Sequence, residues 1–205
     1  MHFLITAGPT REYIDPVRFI SNGSTGKMGY ACAAAAIRRE HKVTLVSGPV
    51  NLAKPKRVKL IKVITSNEMA KAVQAVFNQC DCVIMTAAVC DYKPDKPANQ
   101  KIQKTDQPFC LKLKRTIDIL AELGRIKEEQ LLIGFAVQDR SARQNARRKM
   151  SQKNLDVVVL NSPAAFGADR TDAQILPRGS SWENHPNIHK NTLAKTLIQL
   201  AEKKH

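Results

Sequence analysis

The sequence predicts an α/β fold, a mostly parallel sheet with helices on both faces. Three observations carry this. Several short segments are apolar almost throughout, as strands buried on both faces are. Segments with helical spacing of apolar residues lie between them. Glycine and proline follow the strand ends, as in Gly8-Pro9 and Gly48-Pro49.

Phe3 to Ala7 reads as the first strand and Gly26 to Arg39 as an alanine-rich helix. The β-branched run Lys42 to Ser47 is a strand, and Val58 to Thr65 another. Ser66 opens a helix on which Met69, Ala72, Val73 and Val76 recur at helical spacing. Cys82 to Met85 is a short apolar strand. Tyr92 to Gln107 holds two prolines, several lysines and few apolar residues, and reads as a mobile surface loop. Beyond it the pattern gives a strand at Phe109 to Leu113, a helix at Ile117 to Leu123 and a buried strand at Leu131 to Val137. A helix at Ser141 to Gln152 and a buried strand at Leu155 to Asn161 follow. A short strand at Asp172 to Leu176 and a closing helix from Asn187 to Glu202 complete the order. The 205 residues suit a single domain spanning 1–205.

Composition sets outer bounds. Lys plus Arg (33) against Asp plus Glu (18) gives a net charge of +15, which points to an anionic partner: nucleic acid, phosphate esters or an acidic surface. No apolar run approaches the length needed to span a bilayer. The N-terminal MHFLITAGPTREY lacks a secretory pattern. Five cysteines, mostly inside apolar segments, suit a reducing cytoplasmic setting. Cys80 and Cys82 have no second Cys/His pair at zinc-site spacing.

Ligands of parallel α/β sheets sit beyond the carboxyl ends of the strands, so the segments after Ala7, Met85 and Phe135 matter most. The first is GPTREYIDPVRFISNGSTGKMGY. Its glycines precede a helix, a natural place for an anion. A dinucleotide fingerprint fits poorly, because the approach from the strand is too long and no acidic residue ends the second strand. A P-loop fails because Met28 follows Lys27 where Ser or Thr would hold magnesium. In the second segment, MTAAVCDYKP, small residues let a ring or a backbone approach the strand tip, and Asp91 follows. After Phe135, Ala142, Ala146, Lys149 and Lys153 share one helix face while Arg143, Arg147 and Arg148 point elsewhere. Two lysines one turn apart could clamp a polyphosphate. Lys101-Ile102-Gln103-Lys104 lies in the loop, where lysines could close over a phosphorylated substrate.

Together, GPTREYIDPVRFISNGSTGKMGY, TAAVCDYKP, KIQK, GFAVQD, ARRKMSQKNLD and FGADRTDAQIL resemble the phosphopantothenoylcysteine synthetase (phosphopantothenate–cysteine ligase) family over nearly the whole chain. This is the ligase half of the bacterial bifunctional coenzyme A biosynthesis protein. The resemblance implies a Rossmann-like fold in a homodimer with sites near the subunit interface. It implies that 4′-phosphopantothenate, L-cysteine and CTP, with Mg²⁺, give 4′-phosphopantothenoylcysteine, CMP and pyrophosphate through an acyl-cytidylate. It also implies roles for residues. Asn22 and Arg18 belong to the chemistry of the acyl-cytidylate, and Lys101 assists activation or the second half-reaction. Met85, Thr86, Ala87, Asp91, Lys101, Ile117, Asp118, Ile119, Leu120, Phe135, Lys149 and Lys153 contact the nucleotide. Ala88, like Asn22, faces substrate; the metal ligands are left unassigned.

Three departures stand out. Gln103 replaces a lysine of the loop motif, Gln138-Asp139 replaces a usual Glu-Thr pair, and no flavin-dependent decarboxylase domain precedes the first strand. Either a separate decarboxylase is an expected partner, or the sequence is a piece of a longer protein that carries one. ATP in place of CTP is the nearest rival reading. A non-catalytic relative or a nucleic-acid-binding module are the rivals of a different class. Against the last, aromatic residues are 5% of the chain and no stacking platform is evident.

Overall fold

A computed structural model describes residues 1–137, 141–162 and 167–205. Its centre is an eight-stranded sheet built from β1 (His2–Ala7), β4 (Lys42–Ser47), β5 (Lys59–Lys62), β6 (Cys82–Met85), β9 (Leu131–Val137), β10 (Val157–Asn161), β11 (Arg170–Pro177) and β12 (Glu183–His189). The strand order is β12-β11-β10-β9-β6-β1-β4-β5. Every pairing from β10 to β5 is parallel; β11 and β12 are added antiparallel.

The apolar runs in sequence follow from coverage of both faces. In β1, Phe3, Ile5 and Ala7 face one core, packed with α1 (Lys27–Arg38) and α5 (Lys190–Lys204). Leu4 faces the other, with α2 (Ser66–Phe77), α3 (Ile119–Ile126) and α4 (Ala142–Gln152). β10 divides the same way, Val157 and Val159 against Val158 and Leu160. Helix α1 lies tightly on the strand tips. A Cβ at Gly29 would sit 2.5 Å from Ala7 Cβ and 2.6 Å from Thr86 Oγ1.

The strand order reverses direction between β1 and β6, the position where such sheets open a crevice. The segments leaving these two strands stay joined: Ala88 N–H donates to Gly8 O, Thr10 N–H to Ala88 O, and Cys90 N–H to Thr10 Oγ1. Two small antiparallel pairs stand outside the sheet, β2 (Arg11–Tyr13) with β3 (Phe19–Ser21), and β7 (Tyr92–Pro94) with β8 (Leu113–Arg115).

Four sequence expectations change. The β2–β3 hairpin has no counterpart in the sequence reading, because its strands are three residues long and half polar. The expected loop at Tyr92 to Gln107 begins as strand β7, and its partner is Leu113–Arg115 rather than Phe109 to Leu113. The helix expected at Ile117 starts at Ile119, where the Asp118 side chain caps it by accepting from Ala121 N–H. The closing helix starts at Lys190. The residues before it form β12, which the proline at 186 and the polar run around it disguise.

Candidate functional site

A cavity of about 700 Å³ opens beside the reversal point, between the tips of β6 and β9 and the start of α3. Met85, Ala87, Ala88, Asp91, Ile117, Asp118, Ile119, Leu120, Phe135, Lys149, Lys153 and Asn22 all line it. Segments distant in sequence thus converge on one space. Thr86 lies just outside, where its hydroxyl donates to Thr6 O at 2.6 Å and faces the smaller hollow before α1. Sequence reasoning did not single out Tyr92, Arg115 or Thr116, which also line the cavity. Arg115 ends β8 and Thr116 follows it, and neither belongs to a motif that marks it.

The lining is preorganised by backbone contacts. Asn22 Nδ2 donates to Ala88 O at 3.0 Å, which fixes the plane of its amide at the cavity mouth. Thr116 closes the opposite rim, its hydroxyl donating to Cys90 O and its N–H to Asp91 O.

The two lysines of α4 behave differently from each other. Lys149 Nζ donates to Phe135 O at 2.5 Å, so the helix is pinned to the tip of β9. Burial, then the charge of Lys153, lowers its pKa to about 8, against the pull of Asp118 and Asp91. Lys153 Nζ pairs with Asp118 Oδ2 at 2.7 Å. Burial opposes the charge of Asp118, yet Lys153, Ala121 N–H and Lys149 together hold its pKa below the ordinary carboxylate range. The cavity floor therefore carries one hydrated-type ion pair and one partly desolvated ammonium. The arginines of the helix leave this face. Arg143 bonds Gln174 and Asn184, and the guanidinia of Arg143 and Arg147 lie 5.7 and 5.9 Å from the centre of the Trp182 ring.

Arg18 and Lys101 do not line the cavity. Arg18 sits on the β2–β3 hairpin and donates to Ile102 O at 2.8 Å, which brings the Lys101 segment beside the hairpin that leads into Asn22. Lys101 and Lys104 are both exposed. Gln138 and Asp139 lie outside the described residues.

The carboxylates offer a test for Mg²⁺. Among the described residues no group of three His, Cys, Asp or Glu side chains could hold a metal ion. Asp91, exposed within the cavity, and the ion-paired Asp118 are the acidic side chains there. That donor set fits a magnesium ion carried in on nucleotide phosphates and touched by Asp91, the usual manner for this ion, rather than a protein-made cage.

Known proteins resemble this chain over nearly its whole length. Residues 1–204 match the family described as DNA/pantothenate metabolism flavoprotein C-terminal domain. The coenzyme A biosynthesis bifunctional protein CoaBC of Bacillus subtilis is 44% identical over 203 residues, which is 97% of this chain and 50% of that protein. The chain spans about half the length of the curated relatives it matches, as with the Haemophilus influenzae protein of the same name at 41% identity and 48% coverage. A crystal structure of the C-terminal domain of a CoaBC protein superposes with a TM-score of 0.86 at 37% identity, covering 98% of this chain and 94% of that one.

Proposed function

Since the chain belongs to the DNA/pantothenate metabolism flavoprotein C-terminal domain family, we propose that it is a phosphopantothenate–cysteine ligase. On this reading it joins 4′-phosphopantothenate to L-cysteine at the expense of CTP and releases CMP and pyrophosphate. The supporting observation is the convergence of Asn22, Asp91, Asp118, Lys149 and Lys153 on one cavity at the tips of β6 and β9, beside the switch point of the sheet.

The chemistry assigns these groups distinct tasks. A carboxylate resists amine attack until its oxygen becomes part of a leaving group. Attack of the pantothenate carboxylate on the α-phosphate supplies that group and expels pyrophosphate. Negative charge builds on the phosphates, and fixed donors stabilise it better than mobile water. Lys149 and Lys153 are such donors, each already aimed by Phe135 O or Asp118. Asn22, held by Ala88 O, presents its amide to the acyl group. Arg18 and Lys101, on neighbouring segments, approach from outside the sheet to meet the phosphate or the second half-reaction. Asp91 would contact Mg²⁺ carried on the nucleotide, and the ion would supply further charge neutralisation there.

CTP rather than ATP is the nucleotide we favour, on the run of motifs from GPTREYIDPVRFISN to ARRKMSQKNLD. The same reading includes a homodimer, supported by exposed apolar side chains at Val17, Phe19 and Phe109. It also places the protein in a reducing cytoplasm, supported by cysteines that are free among the described residues and mostly buried, and gives it a flavin-dependent decarboxylase as metabolic partner. No helix among the described residues is long and apolar enough to cross a membrane.

The test is pyrophosphate release with phosphopantothenate, cysteine, magnesium and either CTP or ATP. Release that requires every component, and favours CTP, is expected. No release with either nucleotide from folded protein removes the ligase reading, and a preference for ATP removes only the nucleotide assignment.

A further inference from the structure

We infer that Asp15 is a positioning residue whose second carboxylate oxygen seats the Lys101-bearing segment on the β2–β3 hairpin. The consequence for turnover rests on the ligase reading; the seat itself does not.

Asp15 stands at the turn of the β2–β3 hairpin and its side chain is buried, the residue being 1% exposed. Its two oxygens have separate work. Oδ1 accepts from Val17 N–H and Arg18 N–H, each at 2.8 Å, which is the ordinary way an aspartate closes a tight turn. The hairpin needs nothing more from it. Oδ2 instead accepts the Ile102 N–H at 3.1 Å, from a residue 87 positions further on.

The same peptide unit is held from its other end. Arg18 Nη2 donates to Ile102 O at 2.8 Å, while Arg18 Nη1 lies 3.7 Å from Asp15 Oδ2. Ile102 is thus gripped through its N–H by a carboxylate and through its C=O by the guanidinium that the carboxylate orients. A further tether, Ala98 N–H to Ile14 O at 2.8 Å, fixes the approach of the chain. Lys101 is the residue immediately before the gripped amide. Its own side chain is exposed, so its direction is set by the backbone beneath it. Burial opposes the charge of Asp15, but the N–H groups of Val17, Arg18 and Ile102 and the charge of Arg18 outweigh it. The acceptor is therefore ionised at neutral pH, which makes these hydrogen bonds of the stronger kind.

A turn aspartate with no positioning role would tolerate asparagine. Asparagine keeps one oxygen for the turn and is an equally good turn residue. It replaces the other oxygen with an NH₂ group, a donor facing the Ile102 donor. Asp15→Asn therefore separates the two tasks within one side chain.

The experiment reads residue-resolved amide exchange in wild type and Asp15→Asn, with pyrophosphate release on the same samples. Exchange at Ile102 is expected to rise about tenfold or more, with Val17 and Arg18 changing less than about twofold. Turnover is expected to fall about tenfold, and the double variant Asp15→Asn/Lys101→Gln to be no slower than Lys101→Gln alone. Unchanged exchange at Ile102 overturns the seat. So does a uniform rise across the hairpin, which would mean a merely structural aspartate. Losses that add in the double variant overturn the claim that Asp15 acts through Lys101. If wild type releases no pyrophosphate while the exchange contrast persists, the ligase reading falls and the seat stands.

Discussion

Two pairs of lysines do contrasting work in this molecule. Lys149 and Lys153 project from α4 onto the cavity floor, half-buried, one held by Phe135 O and the other by Asp118. Lys101 and Lys104 stand exposed on a segment without regular structure, with backbone contacts from Asp15 and Arg18 beside Lys101. Helix and sheet can place a cation to a fraction of an ångström, at the cost of desolvating it. A gripped loop keeps the cation hydrated and ready, but only as well placed as its few hydrogen bonds allow. The first arrangement suits holding a substrate, the second suits meeting a reacting group after the substrate has arrived.

The largest expected effect tests the point where the two regions meet. Asn22 directly follows the hairpin and lines the cavity. Asn22→Asp places a carboxylate against Ala88 O and against the acyl phosphate, so amide formation is expected to slow roughly 100-fold while the acyl-nucleotide accumulates. Rapid quenching followed by separation of the nucleotides measures this, and normal turnover without an intermediate removes the assignment. The loop pair comes next. Lys101→Gln is expected to lose about tenfold in turnover or more, and Lys104→Gln less than about threefold, because only Lys101 adjoins the gripped peptide. Equal losses would mean that loop charge counts and placement does not.

The α4 pair is sharpened by pH. Lys149 titrates near 8 in the folded protein, against 10.5 when unconstrained. Its charge is present below about 8, so nucleotide affinity is expected to fall as pH rises through that value. Stability moves the opposite way. Between about 8 and 10.5 the unfolded chain binds more protons than the folded one, so this group makes folding more favourable as pH rises through that window. Lys149→Met is expected to weaken nucleotide binding about tenfold, to flatten its pH dependence near 8, and to leave the melting temperature unchanged or higher. Titration calorimetry and thermal melts at pH 7 and 9 check both arms. An affinity that is flat across pH 8 in wild type would show that Lys149 is not the cation the nucleotide senses.

The same contrast explains what was legible in the sequence. Strands β1, β6, β9 and β10 announced themselves because coverage on both faces forces unbroken apolar runs such as CVIM and VVVLN. Lysines at positions 149 and 153 could be put on one face from helical spacing alone. Nothing local marked the hairpin. Its turn depends on one buried aspartate, and among the described strands its two are paired with each other. Likewise β12 hides in the polar ENHPNIH, since an edge strand buries little. Segments such as Thr116 join the site through contacts with Cys90 and Asp91 that no periodicity encodes. The roles of Arg18 and Lys101 came from family resemblance, not from pattern, and the structure sets both outside the cavity.

The smallest expected effect divides α4 by its faces. The lysine face meets the cavity, and the arginine face meets Trp182, Gln174 and Asn184 on the antiparallel end of the sheet. If only the first face serves the nucleotide, then Arg147→Ala must leave turnover and nucleotide affinity within about twofold. It should lower stability by no more than about 1 kcal/mol, the worth of an exposed cation–π contact. Arg143→Ala should cost slightly more, since it also forfeits two neutral hydrogen-bond partners, yet it too should spare the chemistry. Both follow from one geometric fact: residues four apart share a face and residues two apart oppose one another. Titration and melting of these two variants beside Lys149→Met measure it. A nucleotide affinity that drops in either arginine variant as far as in the lysine variant would mean that net charge draws the ligand in, and that the cavity floor does not discriminate among the cations around it.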